Sequence, residues 1–222
     1  MSFNRVYNVD ALDGLKVLKS GSVDLILTDP PYNINYKSNH GSKEYKDRIQ
    51  SHDWDTDFDF RRFFPDLWRV LKNDCFMYVF GRFENFELMS SLGCSRVLIW
   101  DKCHNGMGDL VDWGIGYEVI YVFKKGKPFL RGMRVNGVIN FKHIGFFEKT
   151  IHPTQKPVGL MRYIIEKSCD EGSLVLDAFL GSGTTAVACK QTNRDWIGFE
   201  LDSHYCKLIN DRLQQVNLKS WF

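Results

Sequence analysis

The apolar run Val23-Asp24-Leu25-Ile26-Leu27 stops abruptly at Thr28-Asp29-Pro30-Pro31-Tyr32. A continuous run of this kind is the pattern of a parallel strand buried on both faces. Ending it in an acid, two prolines and an aromatic describes a strand that feeds a rigid loop. Proline fixes φ and holds the residue before it extended, so Asp29 and Pro30 are constrained and the Pro30 carbonyl has a defined direction. A carboxylate beside a carbonyl can accept both hydrogens of an amino group, and Tyr32 offers a flat face to a planar ring. The plainer alternative is a core strand closed by a Pro-Pro turn, with Asp29 as its cap.

At 222 residues the chain fits one large α/β domain. It contains no repeat, low-complexity tract or Pro/Gly/Ser linker that would divide it. Residues 3–22 read as a lead-in with a turn or two of helix around Asp10-Ala11-Leu12, followed by the strand at 23–28. Phe60, Phe63, Phe64, Leu67, Trp68 and Leu71 recur at helical spacing and predict an amphipathic helix from Asp59 to Lys72. Further strands are expected at Cys75–Phe80, Arg96–Trp100, Tyr117–Phe123, Ser173–Asp177 and Trp196–Glu200. Helices are expected at Phe83–Leu92, Pro157–Lys167, Thr184–Gln191 and His204–Val216. Alternating strands and helices imply a mostly parallel, doubly wound sheet.

A net charge of +2 is too small to imply nucleic acid by itself, so the placement of charge matters. Between Lys124 and Lys149 the chain carries Lys124, Lys125, Lys127, Arg131, Arg134, Lys142 and Lys149 against the single acid Glu148, interleaved with phenylalanines. This segment suits phosphate contacts, or equally a solvated basic hairpin. The polar stretch from Asn33 to Asp57, with Lys37, Lys43, Lys46 and Arg48, has the length of a lid or binding loop. The six cysteines form no CxxC pair, and no apolar run approaches the ~20 residues of a membrane span. A soluble, reduced, cytoplasmic protein without a structural metal is expected.

A second junction lies near the end of the chain. Asp177-Ala178-Phe179-Leu180-Gly181-Ser182-Gly183-Thr184-Thr185-Ala186 joins a strand to a helix through Gly-x-Gly-x-x-Ala, and Glu200 follows at the end of the next strand. Glycines allow close backbone approach and a later acid can bond ribose hydroxyls, so a nicotinamide cofactor has to be considered. Asp177 argues against it, because a carboxylate beside the loop repels a pyrophosphate. S-adenosylmethionine carries a sulfonium and an ammonium and no phosphate, and acids lining the loop favour it.

Taken together, Thr28-Asp29-Pro30-Pro31-Tyr32-Asn33-Ile34 and Asp177 to Thr185 resemble the two motifs of the amino-group DNA methyltransferases. The catalytic motif precedes the cofactor motif, which is similar to the arrangement in the beta class. Ile151-His152-Pro153-Thr154-Gln155-Lys156-Pro157 is similar to that class's link into the cofactor half, and Trp100-Asp101-Lys102 and the Glu118 strand resemble its middle motifs. The resemblance implies a circularly permuted Rossmann-like sheet in a single methyltransferase domain over 1–222, with a catalytic half at 1–126, a short target-recognition segment at 127–150 and a cofactor half at 151–222. It implies a catalytic set of Asp29, Pro30, Pro31 and Tyr32. Asp29, Asp177, Phe179, Gly181, Gly183, Thr184, Thr185 and Glu200 would surround S-adenosylmethionine, with Asp10 and Ala11 near its adenine and Lys156 at its methionine end. DNA is the expected partner, contacted by Lys37, Lys43, Lys46, Arg48, Lys124, Lys125, Lys127, Arg131, Arg134 and Lys142. A homodimer is in keeping with the class, no membrane is involved, and the setting is a bacterial or phage-infected cell with a restriction-modification role.

The target is expected to be an exocyclic amine. Methylation at carbon 5 of cytosine needs a thiolate nucleophile from a Pro-Cys pair, and none of the six cysteines follows a proline. An aromatic amine is a poor nucleophile until its hydrogens are held by Asp29 and the Pro30 carbonyl, which frees the lone pair for direct displacement on a flipped base. Asp rather than Ser at the head of the motif resembles the adenine enzymes more than the cytosine ones. An exocyclic-amine cytosine enzyme is the nearest alternative, followed by an NAD-dependent oxidoreductase and a DNA-binding module without activity.

Overall fold

A computed structural model of the chain describes residues 1–32, 58–103, 113–142 and 155–219, with side chains to residue 215. Among these residues eight strands form one sheet: β1 (Arg5–Asn8), β2 (Val23–Thr28), β3 (Leu71–Gly81), β4 (Arg96–Asp101), β5 (Tyr117–Lys125), β6 (Val138–Asn140), β7 (Leu174–Asp177) and β8 (Asp195–Glu200), in the spatial order β1-β8-β7-β2-β3-β5-β4-β6. Pairing is parallel except where β5 runs against both β3 and β4. The helices are α1 (Ala11–Lys16), α2 (Phe64–Val70), α3 (Phe86–Ser91), α4 (Val158–Ser168), α5 (Thr184–Gln191) and α6 (Ser203–Lys219).

Strand alternation distributes these helices over two faces. Leu25 and Leu27 of β2, with Phe76, Tyr78 and Phe80 of β3, point to a core closed by Leu160, Ile164 and Ile165 of α4, Ala186 of α5 and Ile209 of α6. Ile26, Met77 and Val79 point the other way, to Leu15 of α1, Leu67 and Val70 of α2 and Met89 of α3. Both faces are covered, which is why β2 lacks an apolar-polar alternation. Fully burying one such side chain stabilises the fold by roughly 1.5–3 kcal/mol.

The expected α/β architecture with a mostly parallel doubly wound sheet is therefore present, with differences of detail. The helix expected from Asp59 to Lys72 is a 3-10 turn at Phe60–Arg62 followed by α2, because Pro65 restarts the helix at its first turn. The chain is already extended at Leu71, four residues before the expected strand. The helix expected over Phe83–Leu92 divides in the same way, into a 3-10 turn at Phe83–Asn85 and α3. Two short edge strands, β1 and β6, were not expected from the sequence. The Asn33–Asp57 stretch and His152-Pro153 lie outside the described residues.

The order of strands creates the site. From β7 the chain crosses through α5 to β8 on one side, while β2 leads to β3 on the other, so the winding reverses between β2 and β7. Ligand crevices form at such a switch point, beyond the carboxyl ends of the strands. Thr28 and Asp177 close β2 and β7 there. The loop after β7 packs down on β8: Leu180 N–H donates to Phe199 O at 2.9 Å, and a Cβ on Gly198 would come within 2.4 Å of Leu180 Cδ2. Gly198→Ala is expected to lower unfolding free energy by about 1–3 kcal/mol through this overlap, read as a lower midpoint in urea denaturation.

Candidate active site

The turn after β2 carries a dense set of polar contacts. Asp29 Oδ1 accepts a short hydrogen bond from the Tyr32 hydroxyl, and Oδ2 accepts one from Lys156 Nζ at 2.5 Å. Pro30 is buried and Pro31 half-buried, so the Pro-Pro pair holds the carboxylate against the sheet edge. Lys156 reaches the turn from the segment that opens α4 and is 4% exposed. Its ammonium lies 5.7 Å from the Tyr32 ring centre and 5.2 Å from that of Phe80, both within cation–π range. On its other side stands Glu118 Oε2 at 3.2 Å, while Lys102 Nζ pairs with Glu118 Oε1 at 2.8 Å.

Burial pushes the Asp29 carboxyl above its ordinary value; Lys156 opposes that shift and Glu118 adds to it. Burial alone would lower the Lys156 ammonium, but the carboxylates of Asp29 and Glu118 outweigh it and hold it above its usual value. Burial likewise tends to raise Glu118, and the two lysines overcome it and hold the acid below its ordinary value.

The glycine loop is organised by its two acids. Asp177 is 3% exposed. Its Oδ1 accepts from the Thr28 hydroxyl at 2.8 Å and the Phe179 N–H at 3.1 Å, and its Oδ2 from the Thr185 hydroxyl at 2.6 Å. Glu200 accepts from the Gly181 N–H and the Asp202 N–H, both at 2.8 Å. Gly183 caps α5 at φ 79°, and a Cβ there would also meet Ile209 at 2.8 Å, so only glycine fits. From α6, Arg212 donates to the Ser182 carbonyl and lies 3.4 Å from the Thr184 hydroxyl, buttressing the loop from behind. Phe179 forms an aromatic trio with Phe58 and Phe63, at centroid distances of 5.3 and 5.2 Å.

The residues singled out in the sequence separate into two groups. Asp29 to Tyr32, Lys156, Asp177 to Thr185 and Glu200 meet at one edge of the sheet. Asp10 and Ala11 are there too, because β1 pairs in register with β8 and ends opposite Glu200. Lys156 sits on the catalytic carboxylate. Lys142 is exposed just past β6, at the same edge.

The rest of the basic patch is not brought to the crevice. Antiparallel β5 carries Lys124 and Lys125 to the start of β3, at the far edge of the sheet. There Lys125 Nζ is consumed by the Trp68 and Leu71 carbonyls, Lys127 is anchored through its N–H to Asp74, and Arg131 pairs with Asp170 at 2.9 Å. Arg134 precedes β6, which enters the sheet from that same far edge. Lys37, Lys43, Lys46 and Arg48 lie outside the described residues. Sequence reasoning gave no role to Lys102, Glu118 or Arg212; their partners are distant in the chain, and the only signal was the similarity of the first two to the family's middle motifs.

Asp177 is pushed up to about 6 and Glu200 to about 7, in both cases chiefly by burial. An acid raised on folding binds a proton that the unfolded chain releases near pH 4, so its contribution to stability is full in acid and is lost as pH rises through the folded value. Unfolding free energy should therefore fall between about pH 4 and 7. Asp177→Asn is expected to remove a share of that slope on the order of 2–3 kcal/mol, measured by urea denaturation across the range.

Comparison with known proteins bears on the chemistry of this edge. The family profile described as DNA methylase, N6_N4_Mtase, matches residues 23–211. The type II methyltransferase M.HpaI of Haemophilus parainfluenzae is 29% identical over 92% of this chain and 72% of its own length. The DNA adenine methyltransferase YhdJ of Escherichia coli (strain K12) is 28% identical, over 92% and 80%. Among solved structures, the complex of M1.HpyAVI with SAM superposes with a TM-score of 0.69 at 25% identity, covering 94% of this chain and 98% of that one. The cytosine-N4-specific PvuII DNA methyltransferase gives a TM-score of 0.71 at 20% identity, over 93% and 85%, and shows the shared fold. With the profile spanning both the catalytic turn and the glycine loop, the chain belongs to the N6/N4 family of DNA methylases, the amino-group DNA methyltransferases.

Proposed function

We propose that this enzyme methylates the exocyclic amine of adenine in DNA, with S-adenosylmethionine as methyl donor. The carrying observation is the side-by-side placement of the Asp29 turn and the acid-lined glycine loop, joined through the Thr28–Asp177 hydrogen bond. The loop fits this cofactor better than a dinucleotide. Two acids stand at the strand ends beside it, and Arg212, a cation that contacts the loop, is turned onto the Ser182 carbonyl behind it. Glu200 uses one lone pair of each oxygen on backbone N–H groups and keeps another for ribose hydroxyls. Glycine at 181 and 183 leaves the backbone open to close approach, and Phe179 offers a ring face. When bound, S-adenosylmethionine supplies an electrophilic methyl group on a sulfonium.

The chain's own residues prepare the nucleophile. Asp29 and the Pro30 carbonyl accept the two amine hydrogens, turning the nitrogen toward tetrahedral geometry. Tyr32, with its hydroxyl held by Asp29, stacks on the base after it leaves the duplex. Stacking of this kind is worth about 1–3 kcal/mol per base.

Adenine is favoured over cytosine by Asp at the head of the motif and by a relative that is named an adenine methyltransferase. The fold shared with a cytosine-N4 enzyme keeps cytosine as the second reading. Relatives named type II methyltransferases support a role in restriction-modification, in the bacterial cytoplasm where DNA lies. Lys142 and the lysines and arginine of the 33–57 stretch are the proposed phosphate contacts, and of the 127–150 segment only the part that follows β6 is proposed to assist recognition.

Mass analysis of nucleosides from DNA incubated with enzyme and cofactor should show N6-methyladenine; N4-methylcytosine instead would move the assignment to the second reading. Asp29→Ala should reduce transfer by more than about a hundredfold while cofactor titration stays within about threefold of wild type. Affinity for the cationic cofactor should rise with pH as Glu200 ionises near 7, and Glu200→Gln should flatten that dependence in equilibrium titrations.

A further inference from the structure

Arg212 is a partly buried cation without an acid beside it. It follows Ile209 by one turn of α6, and the two share the face that meets the glycine loop, where a Cβ on Gly183 would come within 2.8 Å of Ile209 Cγ1. Its guanidinium donates to the Ser182 carbonyl and stands 3.4 Å from the Thr184 hydroxyl oxygen. Lys156 pairs with Asp29 and Glu118, Lys102 with Glu118 and Arg131 with Asp170. Among the described residues no carboxylate pairs with Arg212. Burial lowers the guanidinium to about 10, with no acid opposing the shift, and at neutral pH it is still charged. A cation held only by a carbonyl and a hydroxyl leaves part of its desolvation cost uncompensated.

The hydroxyls beside it have a hydrogen to spare. Ser182 and Thr184 are each 4% exposed, and their Oγ and Oγ1 atoms lie 3.0 Å apart. Of the two hydroxyl hydrogens one makes the bond between them, and the other finds no acceptor among the described residues. Arg212 adds a further donor to the Thr184 oxygen and no acceptor. Whichever hydroxyl donates to the other, one hydrogen is left for a third partner. Thr184 is also the first residue of α5, where the helix presents N–H groups without intrahelical partners. A group that satisfies this spot has to be an acceptor, and a negative one is favoured. S-adenosylmethionine carries one such group: its sulfonium and ammonium suit the acids of the crevice, but its methionine carboxylate needs donors elsewhere. Resting on the functional reading above, we infer that Arg212 is a positioning residue for that carboxylate, acting from behind the loop through the Ser182–Thr184 hydroxyl pair. Its donor occupies a lone pair of the Thr184 oxygen and so directs the spare hydrogen to the ligand, and its charge is balanced by the carboxylate across the loop. Arg212 makes no contact with the cofactor itself.

The test is equilibrium titration of the full chain with S-adenosylmethionine and with decarboxylated S-adenosylmethionine, which keeps the sulfonium and the ammonium and lacks the carboxylate. Arg212→Met should weaken binding of S-adenosylmethionine by about tenfold or more and leave the decarboxylated form within about twofold of wild type. Arg212→Gln, which keeps a donor for the Ser182 carbonyl and removes the charge, should show the same selective loss and serves where Arg212→Met does not fold. Thr184→Val removes the hydroxyl at similar shape and should also be selective, and either Arg212 substitution added to it should cost less than about a further twofold. Equal weakening of both ligands by the Arg212 variants is the mark of a loop support alone and overturns the inference. Unchanged affinity for S-adenosylmethionine, or an undiminished loss on top of Thr184→Val, overturns it as well. Wild-type protein that binds neither ligand overturns the functional reading itself.

Discussion

The hydrogen bond from the Thr28 hydroxyl to Asp177 is the contact on which the active edge depends. It joins the last residues of two neighbouring parallel strands whose onward connections diverge, so nothing in the sheet ladder beyond that point holds the two loops together. Thr28 is fully buried and Asp177 nearly so. An isolated carboxylate there would be strongly disfavoured, and it persists because three donors converge on it, from Thr28, Thr185 and the Phe179 backbone. One of these comes from the strand leading to the catalytic turn, one from the loop and one from the helix that follows. Asp177 thus fixes the spacing between Asp29, one residue beyond Thr28, and the glycines.

Charge is sorted between the two edges of the sheet. At the carboxyl edge stand Asp10, Asp29, Glu118, Asp177 and Glu200, with Lys102 and Lys156 neutralising two of the acids. At the opposite edge Lys124, Lys125, Lys127 and Arg131 gather, with Lys125 bound by carbonyls and Arg131 by Asp170. A crevice so lined attracts a sulfonium and an ammonium and repels a pyrophosphate, whereas the glycine spacing alone allows either. The choice between two cofactors that share a backbone motif is therefore made by side-chain electrostatics. Raised acids add a further condition. Burial keeps Asp177 near 6 and Glu200 near 7, so their full negative charge is present only above neutrality.

Much of this was legible in the sequence, for local reasons. β2 and β7 are marked by mostly apolar runs and α5 by the glycines before it, with prolines and acids in fixed positions at the strand ends, all of which act within a few residues. β1 and β6 were not legible because they have four and three residues, with few buried positions, and exist through pairing with β8 and β4. Strand direction was equally hidden. Lys124 and Lys125 looked like part of one basic surface with Lys142, but reversal of β5 puts them at the far edge, where Lys125 caps carbonyls at the end of α2. Local charge density carries no information about which edge a strand will point to.

That reversal also accounts for the least expected part of the site. A parallel strand delivers its carboxyl end to the crevice, and its first residues lie on the opposite side of the sheet. Glu118 is the second residue of β5, pairs with Trp100 near the end of β4, and reaches the crevice only because β5 runs backward. Lys102 follows the end of β4 at the same edge, so the antiparallel pair brings an acid and its counter-ion together behind Asp29. Lys156 completes the row from the opening of α4, whose first turn lies at that edge because the helix runs back along the sheet. A strand that breaks the parallel rule is thus what gives the cation beside the buried carboxylate of the catalytic turn a second acid.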